Sequence, residues 1–401
     1  MTNDQSRKRC EMHSCLRHAM RLARWSGVFP VEGLGYSTPS EIRYKLKSVY
    51  GLYFFSFLLG QTILLAFNSL CDNTHTCFSA MLILYATSLT STILFLKLAK
   101  RWSKLMKTAA EIEDTLNVIG ITKHVALKTS VISYGVMFLA LVEHILYFNC
   151  KITIIMYCLH QGGSTSHVIE RHFRSRFPFV FDYLPYNIST GLLWFTLQAK
   201  FLLSFTDLLI ICFSIYITDY FKNINNTVRS TNWGELRAHY SQFVMLVQDI
   251  NDHIGGFLLM SSFSDLFYIC MQLFYTYSAS SSPSYLLYYL YSFLFLVLRT
   301  LLMFKKAANV HTAARMPLVA LYDVPASAHD MEVIRFQFQI RYTTVGLCGY
   351  FFYVTRNMIL KVIANIITYE LVLLQISRSA DYPNSLMIDN EVVNVTNAAI
   401  T

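Results

Sequence analysis

Charge is what this sequence lacks most. Only 14% of its 401 residues are Asp, Glu, Lys or Arg, whereas 54% are apolar and mean hydropathy is +0.40. Soluble domains carry about 25% charged residues, so this chain has too little polar surface to face water on all sides. Glycine (15) and proline (8) are too few for collagen or a low-complexity linker, and nine cysteines are too sparse for a small disulfide scaffold. Enzyme signatures are missing: there is no GxSxG, no HExxH, no P-loop and no Gly-rich dinucleotide loop. The twelve histidines show no metal-ligand spacing, and no Cys-x-x-Cys pair occurs. Catalysis, a cofactor and a resident metal are not expected. The lack of an internal repeat argues against an inverted-repeat transporter.

What is abundant is apolar runs of about 20 residues, long enough to cross a bilayer core of about 30 Å. Seven such spans are read at about 48–70, 78–98, 131–149, 191–218, 257–279, 284–304 and 355–377, with boundaries good to roughly 2–4 residues. The expected fold is therefore all-α, an integral membrane protein of seven transmembrane helices. Residues 1–46 form a polar tail with Arg7, Lys8, Arg9, Arg17, Arg21, Arg24, Arg43 and Lys45 and no apolar signal region. Residues 47–377 form the membrane domain, and 378–401 a second tail.

Orientation follows from where the basic residues fall. The net charge of +9 reflects Lys and Arg gathered in alternate connections rather than a nucleic-acid surface, so no nucleic-acid partner is expected. The first tail is basic, the loop Cys71–Thr76 has no Lys or Arg, and the next connection carries Lys97, Lys100, Arg101, Lys104, Lys107, Lys123 and Lys128. Residues 279–283 are uncharged, and 305–350 carry Lys305, Lys306, Arg315, Arg335 and Arg341 behind a proline-interrupted stretch. This pattern puts the N-terminus in the cytoplasm and the C-terminus outside. Two loops run against it: 150–190 holds Lys151, Arg171, Arg174 and Arg176 on the outer side, and 219–256 is nearly charge-balanced on the inner side. Cys71, Cys77, Cys150 and Cys158 fall on the oxidising side, open to one or two bridges of unspecified pairing. Asn187 and Asn394 are accessible sequons, whereas Asn225 is cytoplasmic. Helical spacing within 219–256 and toward the end of 305–354 predicts cytoplasmic helices that anchor subunits to one another.

Polar groups inside apolar spans are costly unless they meet a partner, water or a ligand. Glu143 and His144 lie in the third span, Trp194, Gln198, Lys200 and Asp207 in the fourth, Asp265, Gln272 and Tyr275 in the fifth, and Tyr288 and Arg299 in the sixth. Pairing between acids and bases would make them interhelical glue; a pocket would make Glu143, His144, Trp194, Gln198, Gln272, Tyr275 and Tyr288 ligand contacts. Rings that stack on the apolar face of a sugar, with amides and carboxylates for its hydroxyls, suit a sugar or polyol. In the last span Thr368, Val372 and Gln375 share one face at i, i+4 and i+7, with Asn365 one turn earlier. That stripe fits a pore lining in a symmetric oligomer, or a hydrogen-bonded seam within one subunit.

Thr368-Tyr-Glu-Leu-Val-Leu-Leu-Gln375 resembles the C-terminal signature of insect gustatory receptors, in the form associated with the sugar-receptor branch. The resemblance extends through Phe29-Pro-Val, Leu141-Val-Glu-His144, Trp233-Gly-Glu-Leu-Arg237, Leu266-Phe-Tyr-Ile-Cys-Met-Gln-Leu273 and Tyr353-Val-Thr-Arg356. It implies a seven-helix, ligand-gated, non-selective cation channel of four like or related subunits. A sugar would be the ligand, cations the permeant ions, and a plasma membrane, by resemblance that of a sensory dendrite, the site of action. It also implies that Gln375 and Ile376 narrow the closed pore, and that Thr368, Tyr369 and Glu370 of the motif hold the last helix in place. Departures are Ile376 where the family usually has Phe, Asp265 where the branch tends to have Asn, and Phe274-Tyr275-Thr276 where it tends to have Asn-Ser. The added aromatic bulk predicts a ligand other than a common disaccharide. A gustatory channel for a bitter compound or carbon dioxide is the alternative. A G-protein-coupled receptor fits less well: no Asp-Arg-Tyr follows the third span and no Asn-Pro-x-x-Tyr ends the seventh.

Overall fold

The computed structural model describes residues 10–36, 41–45, 47–70, 77–115, 123–160, 186–227, 232–275, 283–325, 329–369, 371–372 and 375. The expected positions Glu370, Ile376, Cys71 and Asn394 and the tail 378–401 lie outside them, as do the side chains of Cys77, Cys158, Asn187 and Tyr275. Helices α1 (Glu11–Trp25), α2 (Val49–Leu70), α3 (Cys77–Thr115), α4 (Lys123–His160), α5 (Tyr186–Thr227), α6 (Trp233–Tyr275), α7 (Pro283–Tyr322) and α8 (Met331–Tyr342) account for most of the chain. A further helix, α9, covers 356–369. Between α1 and α2, β1 (Val31–Glu32) and β2 (Arg43–Tyr44) pair antiparallel, Val31 opposite Tyr44. Gly33 makes that hairpin with φ +87°, where a Cβ would sit 2.2 Å from the Glu41 carbonyl oxygen.

Among the described residues six helices, α2 to α7, are long and apolar enough to cross a membrane. They carry the first six expected spans; the seventh begins on α9. Helix α5 is the axle of the bundle. Its apolar stretch is 89% buried, against 33% for α2 and α4, whose outward faces expose Leu52, Leu59, Leu141 and Ile145. Apolar surface of that extent belongs against lipid, and the protein is a multi-pass membrane protein. Polar groups on neighbours bind α5 rather than solvent: Gln61 Nε2 donates to the Phe195 carbonyl at 2.8 Å, and Tyr85 and Thr196 share a hydrogen bond of 2.8 Å.

Five helices outrun the bilayer. At 1.5 Å per residue, the 38 to 43 residues of α3, α4, α5, α6 and α7 reach about 57–65 Å, roughly twice the hydrocarbon core. In α3 the run from Lys97 to Lys107 marks the exit. Residues 305–350 were expected to open as a loop, yet α7 continues through Lys305, Lys306 and Pro317 to Tyr322. Packing by Ala307, Ala308, Val310, Ala313, Ala314 and Leu321 sustains it past the lost proline N–H. The projecting ends pack through aromatic rings: Tyr220 stacks on Phe243 at 3.7 Å, and Tyr240 meets Phe336 of α8 edge-on at 5.2 Å. Arg237 binds Glu332 at 2.7 Å across α6 and α8.

Within residues 1–46, expected to be a polar tail, α1 buries Met12, Leu16, Ala19, Met20 and Ala23 against α3, α4 and α5. The free N–H groups at its start meet a carboxylate: Glu113 Oε2 accepts from Glu11 N at 2.7 Å, and Oε1 accepts from Met12 N at 2.9 Å and from the Tyr216 hydroxyl at 2.7 Å. Glu113 lies six residues beyond Lys107, where the basic run of α3 ends, outside the hydrocarbon, and burial lifts its pKa to about 6 despite those three donors.

Between α8 and α9 the chain makes a tight turn in which Cys348 bridges Tyr353 and Tyr350 takes φ 62°. Asn251 of α6 clasps it, donating to the Gly346 carbonyl at 2.8 Å and accepting from Cys348 N at 3.2 Å. Gly255 lets the turn press in: a Cβ there would stand 2.9 Å from the Cys348 oxygen.

Candidate functional site

Three buried ionic groups sit where α5, α6 and α7 meet. Arg299 Nε reaches Asp207 Oδ2 at 2.5 Å and its NH2 reaches Asp265 Oδ1 at 3.1 Å, while NH1 donates to Ser204. Ser261 donates to the other oxygen of Asp207, and Thr300 Oγ1 to Asp265 Oδ2 at 2.9 Å. All three charged residues are buried. A guanidinium fork can serve several acceptors in fixed directions, so this array joins three helices at one point. It is the acid–base pairing expected as one reading of the intramembrane charges.

A cavity of about 230 Å³ opens beside the array, among α3, α4, α5, α6 and α7. Arg299 and Ser204 form one wall; Glu143, Lys200, Tyr268, Gln272, Tyr288 and Ser292 supply the other polar groups. Ser292 links them, donating to Glu143 Oε1 at 2.5 Å and accepting from Gln272 Nε2 at 3.3 Å. The Gln272 carbonyl accepts from the Tyr289 hydroxyl. Lys200 lies over the Tyr147 ring at 4.5 Å, and Tyr147 packs edge-on against Tyr288 at 5.6 Å. Leu203, Phe295 and Leu296 complete an apolar floor. The cavity thus offers an acid, an amide, hydroxyls and aromatic rings around one small volume, the mixture a polyhydroxylated ligand requires.

Of the seven residues expected to contact a ligand, the cavity gathers Glu143, Gln272 and Tyr288. His144 lies next door with Tyr147 and Lys200, its ring nitrogens 2.6 Å from the Ala140 carbonyl and 3.4 Å from that of Leu197. Trp194 points away from the bundle and is 58% exposed. Gln198 is buried, and its amide donates to the Ser26 carbonyl after α1. Tyr275 ends α6 with its side chain outside the described residues. Ser292 and Tyr268 were missed, since a serine or tyrosine in an apolar helix carries no signal of which way it faces. Lys200 and Arg299 were visible as intramembrane charges and not assigned to the ligand. On α9, Thr368 back-bonds to the Ala364 carbonyl at 2.9 Å, and Thr368, Tyr369, Val372 and Gln375 are all exposed on the single chain. Cys150, grouped with the oxidising-side cysteines, is a buried free thiol; the side chains of Cys71, Cys77 and Cys158 lie outside the described residues.

A family model described as trehalose receptor matches residues 2–385. The gustatory receptor for sugar taste 64a of Drosophila melanogaster is 26% identical over 391 residues, covering 93% of this chain and 85% of that one. The gustatory receptor 5a for trehalose, from the same fly, is 25% identical over 385 residues, covering 90% and 84%. Among solved structures, the insect olfactory receptor OR5 of Machilis hrabei in complex with eugenol superposes with a TM-score of 0.65 at 14% identity, over 90% of this chain and 97% of that one. At that identity the likeness is one of fold.

Proposed function

The chain belongs to the trehalose receptor family of insect gustatory receptors, in its sugar branch, and from that membership we propose that it is a taste receptor working as a sugar-gated, non-selective cation channel. The family is one of receptors, not of enzymes. The observation that carries the ligand class is the cavity lined by Glu143, Lys200, Gln272, Tyr288 and Ser292. Its polar groups suit hydroxyls and its rings suit the C–H face of a pyranose. Its volume, about 230 Å³, lies below the roughly 300–1,000 Å³ of sites for drug-sized ligands, which favours one sugar ring over two.

Four copies, like or related, would surround a pore lined by α9 and its continuation, with the N-terminus cytoplasmic and the C-terminus outside. Thr368, Val372 and Gln375 would face the pore, and Gln375 with Ile376 would form its narrowest ring. Tyr369 and Glu370 would seat the helix against a neighbour, and the exposed faces of Leu360, Ile367 and Tyr369 support a role in assembly. The projecting ends of α5, α6 and α7 with α8 would form the cytoplasmic anchor. The plasma membrane of a sensory neuron is the proposed setting. Ligand binding opens the pore only to the extent that the open state binds sugar more tightly. Whole-cell recording from cells expressing this chain alone tests the reading, with hexoses, hexitols and disaccharides applied in turn. A rapid inward current with a six-carbon sugar or polyol is expected; responses to none of them, with the protein at the surface, overturn it.

A further inference from the structure

A second cavity, of about 260 Å³, lies between α6, α7 and α9. Leu266 and Leu273 of α6, Val297 and Leu301 of α7, and Ile359 and Ile363 of α9 are among its walls. Thr300 is the lone hydroxyl residue lining it, and that oxygen is engaged by Asp265 Oδ2 at 2.9 Å and by the Leu296 carbonyl at 2.8 Å. The cavity therefore meets its contents with carbon alone. The contrast with the polar cavity is sharp, although both lie against α6 and α7. Arg299 faces the first and Thr300, the next residue, faces the second. Asp265 grips both, at 3.1 Å and 2.9 Å.

We propose that this apolar cavity is a second ligand site, taking a neutral hydrocarbon group, and that its occupant acts on α9 from outside the sugar site. An enclosed aliphatic cavity of about 150 Å³ binds benzene; this one is open on one side, with Leu301, Ile363 and Ile367 partly exposed, and its volume accommodates a substituted ring or a segment of alkyl chain. A charged or hydroxylated ligand finds no partner there and is excluded by the cost of burying an unpaired polar group. The hydrocarbon can come from a bilayer acyl chain or from a free apolar compound; the recognition chemistry is the same. The effect on current rests on the proposed pore role of α9, whereas occupancy of the site does not.

The probe is p-cymene, a neutral aromatic hydrocarbon. Thermal unfolding of the purified chain is followed in a fluorinated surfactant and in dioleoylphosphatidylcholine nanodiscs, for the wild type and for Val297→Phe and Leu273→Phe, which fill the cavity from different helices. The expected result is a rise of several degrees for the wild type that both filled variants lose. A rise in surfactant that disappears in nanodiscs assigns the site to an acyl chain; a rise in both assigns it to free compounds. Equal responses of wild type and both variants, or no response at all, overturn the proposal. In cells, p-cymene is expected to move the half-maximal sugar concentration at least about fivefold in the wild type only. Unfolding that responds while currents do not would overturn the action on α9 and leave the binding site standing.

Discussion

Removing the guanidinium at position 299 is the most informative single change to the bundle. Arg299→Met keeps the length and apolar bulk of the stem but deletes the contacts to Asp207, Asp265 and Ser204. Two carboxylates then face each other across α5 and α6 without a counter-ion, both almost wholly buried. Breaking a buried pair by deleting one partner costs about 3–5 kcal/mol, mostly for the charge left behind. At roughly 2 °C per kcal/mol for a large chain, the apparent melting temperature should fall by about 6–10 °C. Arg299→Lys, a point charge in place of a fork, should recover part of this. Replacing both carboxylates as well, in Arg299→Met with Asp207→Asn and Asp265→Asn, should restore most of it, because the cost lies in unpaired charge rather than in lost packing. Fluorescence-detected size exclusion of heated, detergent-solubilised protein at fixed scan times reads these differences directly. Should Arg299→Met melt with the wild type, the array does not join the three helices. Should the triple variant melt below Arg299→Met, the argument from unpaired charge is wrong.

Other consequences are narrower. Glu143→Gln and Gln272→Ala should each raise the half-maximal sugar concentration about 5- to 150-fold, the equivalent of a lost hydrogen bond of about 1–3 kcal/mol, with unchanged maximal current. A change in maximum alone would remove them from the ligand site. Gln375→Ala should alter conductance or spontaneous opening at normal surface expression; ordinary single-channel currents would count against its place in the gate. Gly255→Val forces a side chain into the Cys348 carbonyl and should lower surface expression and resting closure together. Glu113 has its folded pKa raised to about 6 by burial, so its share of stability is full below the unfolded value and is lost as pH rises through about 6. Melting of the wild type should therefore drop between pH 4.5 and 6.5 by an amount that Glu113→Gln removes, worth up to about 2 kcal/mol.

The spans were legible because lipid leaves a long, one-sided record: apolar runs near 20 residues are hard to mistake, and α2 to α7 lie where the runs do. Helix ends were not. Beyond the bilayer α3, α5, α6 and α7 continue with polar outer faces, so the loss of hydropathy that marks the exit from lipid says nothing about where the helix stops. Helix α1 escaped for a related reason, since its buried Met12, Leu16 and Met20 alternate with Arg17, Arg21 and Arg24 and read as a basic tail. Half of the candidate site was visible as chemistry. Glu143, Gln272 and Arg299 are expensive in hydrocarbon and announce a partner, but rotation about the helix axis decides which partner. Trp194 and Gln198 show that face alone does not settle it either: one turn apart on the same side of α5, Trp194 is exposed while Gln198 reaches the end of α1. Gly255 left one trace, a Gly-Gly pair in a helical pattern, which marks a close backbone approach without naming what approaches.

Planar-bilayer recording from the purified chain, with no other protein present, bears most directly on the claim that one polypeptide is both sugar receptor and cation channel. Sugar added to the outer face should evoke unitary currents that reverse near 0 mV in symmetrical sodium and potassium, and that Ser292→Phe, which fills the polar cavity, should abolish. Correctly folded protein that binds sugar yet passes no current would contradict it.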